Sequence, residues 1–214
     1  LITGAAGGIG SACVEAFAEE GAKLVLQGNR NFEAVQELCK ALPCSTFAVE
    51  ADISWKNDVK TMFRDAWEHF GVIDCVVANA GMWRPKPAPI HKMSLNRWNE
   101  TIETNLTGTF LCAREYFRLL DTERPKSASL VLVGSSAAVF GEADHCEYAA
   151  SKAGVTYGLT RTLKNEIVRL VPNGRVNAVC PSWTRTPMAE KEMEDPEIVA
   201  RVLQTRAIKR VAVL

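Results

Sequence analysis

Hydrophobic positions along this chain follow two spacings in turn. Short, nearly unbroken apolar runs occur at 23–27, 46–49, 73–78, 130–133 and 176–179. Their length and their lack of polar alternation predict strands of a parallel sheet buried on both faces. Between them, at 32–41, 57–70, 95–120 and 149–170, apolar residues return every three or four positions, the stripe of an amphipathic helix. The chain itself opens with a short apolar strand, a glycine-rich turn and a helical pattern over 11–20. Strand and helix in alternation predict an α/β fold: a single-domain, doubly wound (Rossmann-type) parallel sheet with helices on both faces and right-handed crossovers. Such a sheet receives its ligand at the carboxyl ends of its strands. The proline-rich stretch 84–89 reads as a surface loop, and no repeat, low-complexity segment or linker divides the chain.

Composition narrows the function classes. The 214 residues fit one domain, 1–214, able to bury roughly 70% of its unfolded surface. Twenty-five basic residues balance 25 acidic ones, which gives no electrostatic reason for a nucleic-acid or membrane partner. No apolar run reaches the ~20 residues of a membrane span, and no leader of signal-peptide type opens the chain. Seven scattered cysteines without a C-x2-C pair, and only three histidines, argue against a zinc site. They fit reduced thiols in a cytoplasmic compartment. Both ends read as clipped: residue 1 is not methionine, and the chain stops at 209–214 with one sheet edge expected to be exposed or paired differently.

Two motifs carry the chemistry. Tyr148 and Lys152 are four residues apart, and Ser135 lies thirteen before the tyrosine. On a helix that spacing aims a phenol and an ammonium at one site. Free tyrosine, with a pKa of about 10, exchanges protons poorly at neutral pH, and a nearby cation favours its phenolate. A tyrosine so tuned is a general acid/base for an alcohol or carbonyl oxygen, which the Ser135 hydroxyl would hold. At the other end, Gly4, Gly8 and Gly10 stand between the first strand and a helix N-terminus, an anion site suited to a pyrophosphate.

Thr3-Gly4-x3-Gly8-Ile9-Gly10, Asn79-Ala80-Gly81, Asn105, Ser135, Tyr148 and Lys152 resemble the short-chain dehydrogenase/reductase family in order and approximate spacing, and the likeness spans the chain. Gly134-Ser135-Ser136-Ala137 and Phe140-Gly141-Glu142-Ala143-Asp144-His145 look like its 3-oxoacyl-carrier-protein-reductase-like members. The resemblance implies an oxidoreductase that passes hydride between a nicotinamide and a small carbonyl or alcohol substrate. Tyr148 would be the acid/base and Ser135 would orient the oxygen. Lys152 would lower the tyrosine pKa and hold the ribose. Asn105 would hold a helix backbone and a water leading to the lysine. Gly4, Gly8, Ile9 and Gly10 would face the pyrophosphate, Asp52 and Ile53 the adenine, and Asn79, Ala80 and Gly81 the adenosine. Pro181, Thr184 and Thr186 would join Tyr148 and Lys152 around the nicotinamide end. Residues 187–208 correspond to a substrate lid, and a homotetramer or homodimer is implied.

The chain departs from the pattern in places. Ser182 stands where the family has glycine, leaving less room near the nicotinamide, and Thr184 puts a hydroxyl where a methyl is usual. Ser136 is the alternative to Ser135. Trp83, Trp183 and Met188 are candidates for an apolar wall that favours a ring or an acyl chain. The second strand ends Leu26-Gln27-Gly28-Asn29-Arg30-Asn31, with Gly28 where an NAD-selecting acid is expected. Asn29 and Arg30 therefore predict NADP(H) over NAD(H), against the alternative that Arg30 is a solvated loop residue. A protein that binds NADP(H) without turnover and acts through protein contacts is the second function class. An epimerase or dehydratase of the extended relatives fits the glycine spacing less well.

Overall fold

The computed structural model describes residues 1–204 and 210–214. Five strands, β1 (Leu24–Gly28), β2 (Thr46–Glu50), β3 (Cys75–Ala78), β4 (Ser127–Val133) and β5 (Asn173–Val179), all pair in parallel. β1 pairs with β2, and β3, β4 and β5 form the order β3-β4-β5. Residues 1–3 fill the seam between these halves. Ile2 N donates to Val25 O at 2.9 Å and Ile2 O accepts from Gln27 N at 3.0 Å on one side. Thr3 N donates to Val77 O at 3.0 Å and Leu1 O accepts from Val77 N at 2.8 Å on the other. One continuous sheet results, in the order β2-β1-(1–3)-β3-β4-β5. The chain winds outward in opposite directions from that central segment, so a crevice opens at its carboxyl end.

Helices cover both faces, as predicted. α1 (Gly8–Glu19) and α2 (Phe32–Ala41) pack on one, where Val14, Ala18 and Val35 meet Ile2, Leu24, Leu26 and Val77. α3 (Lys56–Phe70), α4 (Leu95–Ile102), α5 (Gly108–Glu123), α6 (Ala137–Phe140), α7 (Cys146–Ala153) and α8 (Thr160–Leu170) follow. From these, Met62, Phe63, Leu111, Tyr116 and Ile167 bury against Val25, Val76, Leu130 and Leu132 on the other face. Neighbouring strand residues such as Val76 and Val77 thus feed opposite cores, which is why these strands carry no polar alternation. α9 (Glu190–Met193) and α10 (Pro196–Gln204) complete the described helices. They occupy the segment expected as a lid, of which 205–208 lies outside the described residues.

The boundaries shift where tertiary pairing overrides the apolar run. β4 begins at Ser127 and β5 at Asn173 because 127–129, with polar Ser127 and Ser129, pair in register with 173–175. The helix expected from 149 starts at Cys146. The helical runs 95–123 and 146–170 each contain a π-helical turn, Glu103–Thr107 and Gly154–Leu159. Such turns recur at functional sites. Among the described residues β5 pairs with β4 alone, while Thr184 bridges to Ala212.

Buried Thr3 ties the seam to the strand end that will face the ligand: its Oγ1 accepts from Asn79 N at 3.0 Å and Ala80 N at 2.9 Å. Thr3→Val keeps the shape and removes the acceptor. It should lower unfolding stability by about 1–3 kcal/mol in urea, with the m-value unchanged. A loss below about 0.5 kcal/mol would mean that these amides do not depend on the hydroxyl.

Candidate active site

The glycine turn is braced from both flanks. Gly4 N donates to Gln27 Oε1 at 2.8 Å, and Gln27 Nε2 donates to Ala51 O at 2.6 Å. Asn79 Nδ2 donates to Thr3 O at 3.0 Å and Gly4 O at 3.2 Å. A Cβ on Gly10 would fall 2.1 Å from Gly4 O, so the first turn of α1 can press onto the loop only as glycine. Asn79 therefore braces the phosphate end from within the fold, and Gln27, a buried amide in an apolar strand, does the same from β1.

A cavity of about 360 Å³ starts at this turn, with Gly4, Gly7, Gly8 and Ile9 in its wall, and continues past Asn79, Ala80 and Gly81 to Ser135, Tyr148 and Lys152. Residues 181–184 and 186–189 border it opposite. At its phosphate end a Cβ on Gly8 would come within 2.6 Å of Thr186 Cγ2, so the slot stays open only without that side chain. Backbone amides at the start of α1 offer the anion site a pyrophosphate requires. The residues present thus fit a nicotinamide dinucleotide along the cavity. Gly4, Gly8, Ile9, Asn79, Ala80, Gly81, Pro181, Thr184 and Thr186 all line this cavity. Asn29 and Arg30 do not line this cavity. Both are exposed after β1, and Asn29 shares a second cavity of about 340 Å³ with Glu50, Asp52 and Asp58. Asp52 Oδ1 accepts from Ser54 N at 2.9 Å and Ser54 Oγ at 2.6 Å, while the Ile53 side chain is buried.

Tyr148 and Lys152 both sit on α7, on the face turned to the cavity. Ser135 Oγ accepts from Ala137 N at 3.1 Å, and its hydroxyl lies beside the Tyr148 phenol. Ser136 Oγ instead donates to Ser182 Oγ at 3.3 Å, which separates the two candidate serines. Burial pushes the Tyr148 phenol above its ordinary range; the Ser135 hydroxyl pulls it down and the Glu142 carboxylate pushes it further up. The expectation that Lys152 lowers the tyrosine pKa is therefore corrected. Lys152 Nζ lies 5.9 Å from the tyrosine ring centroid and donates to Val133 O at 2.8 Å. Burial takes the ammonium itself down to about 8, against an opposing pull from Cys180. Desolvation outweighs the cation here because both groups lie in the same dry wall.

Asn105 is wholly buried in the first π turn. Its Oδ1 accepts from Met82 N at 2.7 Å, and its Nδ2 donates to Met82 O at 3.0 Å and Ser151 Oγ at 3.3 Å. The side chain thus holds the backbone beyond β3 against α7, rather than a helix backbone as the resemblance implied. Sequence reasoning also missed two supports near Tyr148. Trp83 stacks on His145, centroids 4.0 Å apart, and meets the Tyr148 ring at 84° and 4.8 Å. Buried Glu147 accepts from Arg97 Nε at 2.8 Å. The only sequence signal was polar residues flanking Tyr148. Among the described residues no helix is long and apolar enough to cross a membrane, and no cluster of metal-ligating side chains occurs.

The family model for short chain dehydrogenase matches residues 1–197. The chain is 35% identical over 192 residues to a cis-4-hydroxycyclohexanecarboxylate dehydrogenase of Sinomonas cyclohexanicum, covering 88% of this chain and 74% of that one. It is 34% identical over 193 residues to the 3-oxoacyl-acyl-carrier-protein reductase of Thermotoga maritima, covering 89% and 76%. Among solved structures, a short-chain dehydrogenase/reductase (glucose/ribitol dehydrogenase) of Brucella melitensis superposes with TM-score 0.86 at 32% identity, covering 99% of this chain and 82% of that one. Levodione reductase superposes with TM-score 0.88 at 29% identity, covering 99% and 84%.

The buried ammonium makes a stability prediction with a definite sign. Lys152 titrates at about 8 when folded and at ~10.4 when unfolded, so below pH 8 the unfolded chain is favoured by its solvated charge. That cost disappears as pH rises from about 8 towards ~10.4. The cofactor-free protein should gain on the order of 3 kcal/mol relative to its Lys152→Met variant across that window. A difference that stays flat with pH would mean that Lys152 is not desolvated.

Proposed function

This chain belongs to the short-chain dehydrogenase/reductase family, an NAD(P)-dependent oxidoreductase acting on an alcohol or ketone, and from that premise we propose an NADP(H)-dependent ketone reductase with Tyr148 as its general acid/base. The observation that carries this is the opening of the glycine turn, Tyr148, Ser135 and Lys152 onto one cavity. Tyr148, held protonated by burial, gives its proton to the substrate oxygen as charge develops there, and takes one back in alcohol oxidation. Ser135 is the second contact for that oxygen. A bound nicotinamide supplies or accepts the hydride. Lys152, beside Tyr148 in the cavity wall, would hold the cofactor ribose, and Asn105 fixes the backbone between β3 and α7.

A ring or acyl substrate agrees with the names of the two sequence relatives and with Trp83, Trp183 and Met188 in the cavity wall. Exposed Leu95, Phe110, Tyr157 and Val168 along α4, α5 and α8 and the second π turn support a homodimer or homotetramer. All seven cysteines are free thiols, in keeping with a cytoplasmic protein.

The preference for NADP(H) rests on Gly28, which offers no carboxylate at the end of β1, and on Arg30, which is exposed beside it. Glu50, Asp52 and Asp58 near Asn29 would oppose a 2′-phosphate, so the preference depends on the guanidinium. Arg30→Ala should weaken NADPH binding by about 1.5–3 kcal/mol in calorimetry and leave NADH nearly untouched. Equal native affinity for the two cofactors would remove the assignment.

The catalytic test is a screen of ketones, quinones and acyl thioesters for oxidation of NADPH and NADH, repeated with Tyr148→Phe. That variant should bind cofactor and keep less than about a tenth of the parent kcat, a barrier increase above ~1.4 kcal/mol. A variant as active as the parent would move the acid/base elsewhere. Cofactor binding without turnover of any compound would favour a binding protein.

A further inference from the structure

Trp83 follows the β3 end by a few residues, at the start of the proline-rich loop, and its indole lines the catalytic end of the cavity. One ring contact is the parallel stack on His145, and another is the perpendicular contact with Tyr148. The imidazole is fixed in turn. It is nearly buried, its Nδ1 faces Ala143 O at 3.1 Å, and its Nε2 faces Arg84 O at 3.0 Å. It thereby spans from the segment before α7 to the residue after the tryptophan. Ala88 N donates to Asp144 O at 2.9 Å and links the same two segments again. Arg84 pairs with Glu100, and Arg97 joins Glu147 to the Lys86 carbonyl, so α4 holds the loop from its other side. A proline-rich loop so fastened holds its indole between His145 and Tyr148.

Two consequences follow. The direction of a tyrosine hydroxyl is fixed by its two side-chain torsions, and a neighbour packed at right angles to the ring restrains both. The same indole is also a flat wall beside the reacting oxygen, with Trp183 and Met188 lining the cavity too. A ring substrate meets such a wall in its own shape, whereas an open chain must first freeze its torsions.

We propose that Trp83, gripped by His145, is a positioning and specificity-determining residue that aims Tyr148 and selects ring ketones over open-chain ones. This rests on the reading of the site as a ketone reductase. Trp83 supports the Tyr148 ring, and the grip of His145 makes the support rigid.

The test compares cyclohexanone with 2-hexanone, matched in carbon number, at saturating NADPH and again at saturating NADH. The variants are Trp83→Ala, Trp83→Leu, Trp83→Phe and His145→Ala, with cofactor affinity measured for each. The parent should favour cyclohexanone in kcat/KM by about tenfold or more. Trp83→Ala should lower kcat about 10- to 100-fold with cofactor affinity kept, and abolish the ring preference. Its alkaline limb of reduction should move to lower pH, because the phenol loses part of its burial. Trp83→Phe should restore most of kcat, and His145→Ala should follow Trp83→Ala with a smaller loss. Trp83→Leu carries the same expectation if the alanine variant does not fold. Unaltered kcat and ring preference in the alanine or leucine variant would overturn the proposal. So would a parent that reduces 2-hexanone as well as cyclohexanone. A parent that reduces neither ketone with either cofactor would overturn the reductase reading together with it.

Discussion

Hydrogen bonds from residues 1–3 to two strands at once are the constraint on which this molecule depends. Ile2 bonds to the β1 backbone and Thr3 to Val77 of β3, and among the described residues no other segment bonds along both half-sheets. Because the chain leaves this segment through the glycine turn, the turn must emerge where the sheet changes direction. Gln27 from β1 and Asn79 beyond β3 then clamp it from either side. The crevice, the turn and the strand end that carries Ala80 and Gly81 are one consequence of that placement.

Opposite the turn, the chemistry depends on burial. Lys152 and Tyr148 occupy a dry wall, and dryness acts on them in opposite senses: it lowers the ammonium and raises the phenol. On the proposed reading, a phenol kept protonated in this way would give its proton to a ketone rather than hold a standing negative charge. The two π turns contribute at this place, one seating Asn105 against Met82 and Ser151, the other following Lys152 on the same helical run.

Much of this was legible in the residue pattern because it depends on local spacing. Apolar runs located the five described strands, since inner strands such as β3 feed both cores and are apolar on both faces. The four-residue interval put Tyr148 and Lys152 on one helix face. Polar strand beginnings such as Ser127 and Asn173 were not legible, because pairing with a partner, not hydrophobicity, makes them strand. Nor was the role of Gln27, whose partners Gly4 and Ala51 lie far along the chain. The thirteen-residue spacing to Tyr148 picked Ser135, whereas the contact of Ser136 with Ser182 left no trace in the sequence. The sign of the Tyr148 shift needed burial, which spacing does not report. The grip of His145 on Trp83 joins residues 62 positions apart and left no periodic trace.

The central claim is that a buried, protonated Tyr148 supplies the proton to a ketone oxygen. The most direct measurement is the pH dependence of kcat/KM for ketone reduction and for oxidation of the matching alcohol. Reduction should stay level through neutral pH and fall only on the alkaline side, as Tyr148, raised by burial, loses its proton, while oxidation rises over the same range. Reduction that climbs with pH, or the same profile in both directions, would contradict it.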